Sequence, residues 1–223
     1  MRYSSFVDRI AGESVEAWKI HSGAMAAQRR GEDVIVLSVG DPEFSTAEPI
    51  VEQAVAALRS GDTHYSEMAG RAAVRAAIAR DHSGRLSDWV TPANTILLAG
   101  AQNALFAVSL CLCEAGDEII VPEPMYLTYR ACIEGTGAVL VPVPVDPQTL
   151  RIDSDRIRTA ITNKTKALFY ATPCNPTGIV MTEEELSALR DIAVEHDLWV
   201  VSDEVYADIT FDRETVSIAR CPA

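Results

Sequence analysis

ATPCNPTG at residues 171–178 and LWVVSDEVY at residues 198–206 bracket an amphipathic stretch, and their reading decides the fold. Asn175 sits on a proline-bounded turn after one apolar run. Asp203 and Tyr206 sit at the end of the next. Open parallel α/β sheets bind ligands in the crevice outside the carboxyl ends of their strands. These three side chains are therefore expected to meet at one sheet edge, with the upstream chain as scaffold and phosphate grip.

Working outward, from residue 95 the chain alternates short apolar runs with helical stretches. Strands are expected at 95–99, 118–121, 138–143, 166–171 and 198–202. Near-continuous apolar strands separated by helices imply a parallel sheet covered on both faces. The expected fold class is thus α/β, three layers α/β/α around a mainly parallel sheet. Upstream, helices are expected at 12–30, where Val15, Trp18, Ile20 and Met25 keep helical spacing, and at 49–58 and 70–80. Arg71, Arg75 and Arg80 are expected on the wet side of the last. A short strand is expected at 34–39, ended by the turn Gly40-Asp41-Pro42-Glu43-Phe44.

Composition narrows the partners. The 223 residues are 48% hydrophobic, enough for a substantial core, and carry a net charge of −13. Such a charge disfavours nucleic acid and anionic membranes, leaving small molecules as the expected partners. The amino-terminal stretch mixes charges and lacks the apolar core of a secretory signal. The most apolar run, 96–113, is broken by Gly100, Gln102, Asn103 and Ser109 and reads as a buried strand and helix, not a membrane span. Five cysteines, Cys111, Cys113, Cys132, Cys174 and Cys221, show no C-x-x-C spacing. They are expected to be buried free thiols in a reducing cytoplasm, with Cys111 and Cys113 facing different directions. His64 and His82 read as surface residues.

Gly100-Ala101-Gln102-Asn103 lies between a strand and a helix. Small residues at a helix amino end leave amides open, and the dipole favours an anion there, so a phosphate seat is expected. Tyr126, in PEPMY at 122–126, lies at the same sheet edge; it stacks on a flat ring or packs as ordinary core. Asp203 after LWVVS has two readings. One is the acidic end of a nucleotide-hydrolase strand holding Mg²⁺, which needs a G-K-[ST] loop. The chain has three lysines, Lys19, Lys164 and Lys166, none after a glycine. In the other reading, Asp203 faces a heteroaromatic nitrogen and favours its protonated form. Asn175 and Tyr206 would then bond a phenolic oxygen on the same ring.

Taken together, SVGDPEF, THY, AGAQNA, PEPMY, CNPTG and SDEVY, in this order and spacing, resemble the fold-type I pyridoxal-phosphate enzymes, in particular the class I and II aminotransferases. The stretches 1–12, 123–129 and 196–206 look most like the arginine–pyruvate branch of that family. The resemblance implies a pyridoxal 5'-phosphate cofactor and transfer of an amino group from an amino acid, arginine among the donors, to a 2-oxo acid such as pyruvate. By it, Ala101 and Gln102 would hold the cofactor phosphate and Tyr126 would stack on the pyridine ring. Asn175 and Tyr206 would bond its 3-oxygen, and Asp203 its ring nitrogen. Tyr65 would reach the phosphate of a neighbouring subunit, implying a homodimer, and Gly40 would lie beside the substrate carboxylate. Residues 1–30 would form a helical arm and 31–223 part of the large cofactor-binding domain.

One departure accompanies the match. The family's Schiff-base lysine lies roughly 30 to 35 residues beyond the aspartate and also moves the proton during transamination. The sequence stops at Ala223, so that lysine, the substrate-gripping arginine and the small domain are expected beyond it, and the chain is expected to be inactive alone. The family's strand order, 3-2-4-5-6-7-1, would leave residues 95–99 without neighbouring strands. Two alternatives stay open: a β-lyase or cyclopropane-forming synthase on the same fold, or a non-catalytic cofactor-binding relic.

Overall fold

The structure, a computed structural model, describes residues 2–11, 14–85 and 90–220. Cys221 and the terminus at Ala223 lie outside the described residues, as does Gly12. Four helices come first: α1 (Ser5–Ala11), α2 (Ser14–Arg29), α3 (Glu48–Arg59) and α4 (Ala72–Arg85). From α5 (Ala101–Leu112) strands and helices alternate: β1 (Glu118–Glu123), α6 (Tyr129–Glu134), β2 (Val139–Pro144), α7 (Ser154–Ala160), β3 (Thr165–Ala171), α8 (Glu183–His196) and β4 (Trp199–Asp203).

The strands form one parallel sheet in the order β2-β1-β3-β4. Because strand side chains alternate in direction, each strand feeds two cores. Ile119, Val121, Leu140, Ala167 and Phe169 point to one face, where α5 and α6 cover them with Leu105, Tyr129, Cys132 and Ile133. Ile120, Val143, Leu168 and Tyr170 point to the other, against Ile157 of α7 and Leu186, Leu189 and Ile192 of α8. This is the expected three-layer α/β arrangement, and its four strands follow the order 3-2-4-5 that the resemblance implied.

Local chemistry sets the helix starts. Asp153 caps α7 by accepting from the amides of Asp155 (3.0 Å) and Arg156 (3.2 Å). Thr182 and Glu185 form a reciprocal capping box at α8. Glu185 also accepts from Arg151 Nη1 at 2.9 Å, and Arg158 of α7 pairs with Glu195, so α8 is tied both to α7 and to the segment ahead of it.

Several expectations are corrected. Residues 34–39 and 95–99 are not strands. No ladder reaches them, and several of their apolar side chains stay in water: Leu37 is 89% exposed and Ile96 61%. A strand needs a partner for its backbone groups, and an apolar run alone does not make one. Arg75 is half-buried, donating to the carbonyls of Gly70 (3.1 Å) and Pro92 (2.9 Å). Arg71 precedes α4 and pairs with Asp62. His82 is half-buried, with Nδ1 shielded from solvent. Cys111 is exposed, whereas Cys113 and Cys132 are buried and burial pushes both thiols up in pKa.

Candidate functional site

The chain leaves β1 for β2 on one side, then crosses back to lay β3 on the other side of β1. The connections therefore diverge between β1 and β3, where α/β sheets open a crevice at their carboxyl ends. Ala171, the last residue of β3, lies opposite Asp203, the last of β4. The Thr172 amide donates to the Asp203 carbonyl at 2.9 Å, extending the ladder one step.

At this edge lies a cleft of about 150 Å³, lined by Ala101, Gln102, Leu105, Tyr126, Tyr129, Ala171, Asn175, Asp203, Val205 and Tyr206. Six of the residues singled out from the sequence thus share one wall-to-wall space. Gly40 and Tyr65 do not line it: both are exposed, and Tyr65 has no burial at all in the single chain.

Each wall has a structural cause. Gly100, at φ +88°, turns the chain into α5 and offers no side-chain cap. Among the described residues, the amides of Ala101, Gln102 and Asn103 make no hydrogen bond, and the first amide satisfied is that of Ala104, by the Gly100 carbonyl at 3.1 Å. Three unpaired donors at the positive end of a twelve-residue helix suit an anion. Asn175 rides on a loop closed by the Cys174 amide on the Ile179 carbonyl (2.9 Å) and by the Met181 amide on Thr172 Oγ1 (3.0 Å). That loop brings Asn175 Nδ2 to 3.4 Å from the Tyr206 hydroxyl, a long contact that leaves both groups free to bind something else.

Asp203 is half-buried. Its Oδ1 accepts from the Val205 amide at 3.1 Å and its Oδ2 from the Tyr129 hydroxyl at 2.7 Å. Tyr129 is a site residue that the sequence reading missed. It is 2% exposed and meets Tyr126 edge-on, with ring centroids 6.0 Å apart. Burial, together with the bond to Asp203, holds its phenol well above the usual tyrosine range. The only available signal was its place three residues after Tyr126, at the start of α6.

No lysine lines the cleft. Lys164 and Lys166 lie at the start of β3, the sheet edge opposite Ala171, and Lys19 is in α2. Among the described residues no group of three or more His, Cys, Asp and Glu could hold a metal. Nor is any helix among them long and apolar enough to cross a membrane. The donor set fits pyridoxal phosphate: unpaired amides for a phosphate, a flat aromatic, an amide and a phenol for a ring oxygen, and a carboxylate for a ring nitrogen.

Comparison with known proteins leads the same way. The model of the aminotransferase class I and II family matches residues 32–221. Arginine–pyruvate transaminase AruH of Pseudomonas aeruginosa is 44% identical over 223 residues, all of this chain and 57% of that protein. Aspartate/prephenate aminotransferase of Thermus thermophilus is 38% identical over 202 residues, covering 90% of this chain and 52% of its own length. Among solved structures, aspartate aminotransferase from Thermus thermophilus with maleate superposes at a TM-score of 0.92 with 37% identity, over 99% of this chain and 58% of that one. The chain therefore spans little more than half the length of the relatives it matches. With the sheet order, the cleft and the family match in agreement, the chain belongs to the class I and II aminotransferases.

Proposed function

We propose that the chain carries the cofactor seat of an aminotransferase that moves an amino group from an amino acid to a 2-oxo acid, with pyridoxal 5'-phosphate in the cleft. The observation that carries this reading is the gathering of Ala101, Gln102, Tyr126, Asn175, Asp203 and Tyr206 around one space. The amides of Ala101 and Gln102 hold the phosphate and Tyr126 stacks on the ring. Asn175 and Tyr206 bond the 3-oxygen. Asp203 faces the ring nitrogen and favours its protonated form. When bound, the cofactor supplies an electron sink for bonds at the substrate's α-carbon.

Residues 31–223 serve in this reading as part of the large domain and 1–30 as an arm. Gly40 borders the substrate carboxylate, and Tyr65, open to solvent here, reaches the phosphate of the other subunit in a cytoplasmic homodimer. The similarity to AruH supports arginine as donor and pyruvate as acceptor. The cleft's lack of a lysine supports a further part of the proposal: these 223 residues alone do not turn over. A second reading is a non-catalytic cofactor-binding relic.

Reduction with borohydride in the presence of pyridoxal phosphate, followed by peptide mapping of protein isolated from its source, separates the two. A specific adduct on a lysine outside these 223 residues supports the transaminase; no specific adduct supports the relic. Steady keto-acid production by the purified 223-residue chain would refute the claim that it cannot act alone. Ammonia and pyruvate released from a cysteine conjugate, with no oxo acid added, would point to β-lyase chemistry instead.

A further inference from the structure

A carboxylate at the end of a strand can turn about two torsions, so what holds it matters as much as its presence. Asp203 is held at both oxygens: the Val205 amide donates to Oδ1 at 3.1 Å and the Tyr129 hydroxyl to Oδ2 at 2.7 Å. Each oxygen has lone pairs to spare, so neither bond prevents the carboxylate from accepting from a ligand. The two anchors differ in rigidity. Val205 is 59% exposed on the chain leaving β4, whereas Tyr129 is 2% exposed and opens α6.

That helix is itself tied down. Cys132 Sγ donates to the Gln102 carbonyl at 3.7 Å, and Arg9 donates to the carbonyls of Glu134 (Nε, 3.0 Å) and Gly135 (Nη2, 3.2 Å). The tyrosine ring is boxed by Tyr126, and Tyr126 and Tyr129 both line the cleft. Its phenol stays protonated at neutral pH because burial opposes ionisation, so it remains a donor. A donor this fixed, bonded to the carboxylate, orients it.

We propose that Tyr129 is a positioning residue of the cleft: its hydroxyl fixes the plane of the Asp203 carboxylate so that a free lone pair faces the ring nitrogen of a bound pyridoxal phosphate. This inference rests on the reading of the cleft as a pyridoxal-phosphate seat. Tyr129 acts only through Asp203.

The test is a binding cycle on the 223-residue chain, comparing wild type with Tyr129→Phe, which keeps the ring and loses the hydroxyl. Two probes lacking the aldehyde are used, so no lysine is needed: 4'-deoxypyridoxine 5'-phosphate, and its analogue with the ring nitrogen replaced by CH. The expected result is that Tyr129→Phe weakens the first probe about tenfold or more and leaves the second unchanged. Equal weakening of both, or of neither, overturns the proposal, because a merely structural hydroxyl would not distinguish nitrogen from CH. If neither probe binds wild type, the reading of the cleft fails, and proton NMR of the ligand-free chain decides on Tyr129. A slowly exchanging hydroxyl resonance that moves upfield in Asp203→Asn supports the Tyr129–Asp203 contact. Its absence overturns it, and this measurement also stands if Tyr129→Phe does not fold.

Discussion

Thr172 fastens the loop that carries Asn175, and replacing it with valine removes one hydrogen bond at nearly constant shape. Its side chain is fully buried, at 0% exposure, and Oγ1 accepts from the Met181 amide at 3.0 Å. Valine puts a methyl where the hydroxyl was and leaves that amide buried without a partner, which costs about 1–3 kcal/mol. Serine keeps the hydroxyl and loses only a methyl, about 0.8 kcal/mol before any cavity term. With a urea slope of about 2 kcal/mol/M, Thr172→Val lowers the unfolding midpoint by roughly 0.5–1.5 M, and Thr172→Ser by less. Urea unfolding followed by far-ultraviolet circular dichroism reads both midpoints. A valine variant as stable as wild type, with the serine variant weaker, would refute the reasoning, since the methyl and not the hydroxyl would then hold the loop.

Thr182→Ala breaks the capping box at α8, where Thr182 Oγ1 accepts from the Glu185 amide at 3.2 Å, and is expected to cost about 1 kcal/mol; thermal melts show it as a lowered Tm, and an unchanged Tm would mean that α8 is held by its packing alone. Gly70→Ala is expected to destabilise by at least about 1 kcal/mol. The backbone there has φ +94° and a Cβ would come within 2.6 Å of Leu97; urea midpoints equal to wild type would show that the 70/97 contact gives way freely. Alkaline stability tests Tyr129. Its folded pKa is raised, first by burial and then by the bond to Asp203. The stability linked to it is therefore fully present below the ordinary tyrosine pKa of about 10 and is lost as pH rises beyond it. Urea midpoints between about pH 8 and pH 11 should fall less steeply in Tyr129→Phe than in wild type; parallel slopes would contradict this.

The parts of the fold legible in the sequence are those whose signal is local. Glu118–Glu123, Val139–Pro144, Thr165–Ala171 and Trp199–Asp203 fall within a few residues of their expected positions. Each is a short apolar run bounded by turn residues, so composition suffices to find it. The positions of Tyr126, Asn175 and Asp203 were legible for a related reason. Each stands just after an expected strand, and the carboxyl end of a parallel sheet is one place in space. The apolar runs at 34–39 and 95–99 carry a similar local signal but no ladder, because whether a strand forms depends on a neighbour that its own residues do not specify.

What the sequence alone determined, then, is the parallel α/β layering and the set of groups at one sheet edge, since both follow from alternation, turns and the direction of strands. Tertiary structure decided the rest. Seventy-four residues separate Tyr129 from Asp203, and only the packing of α6 onto the sheet brings the hydroxyl to within 2.7 Å of the carboxylate. Packing also buries Cys113 while leaving Cys111 in water, and draws Arg75 inward to the Gly70 and Pro92 carbonyls. Burial and hydrogen-bond partnership depend on what approaches from elsewhere in the chain, and no local pattern carries that information.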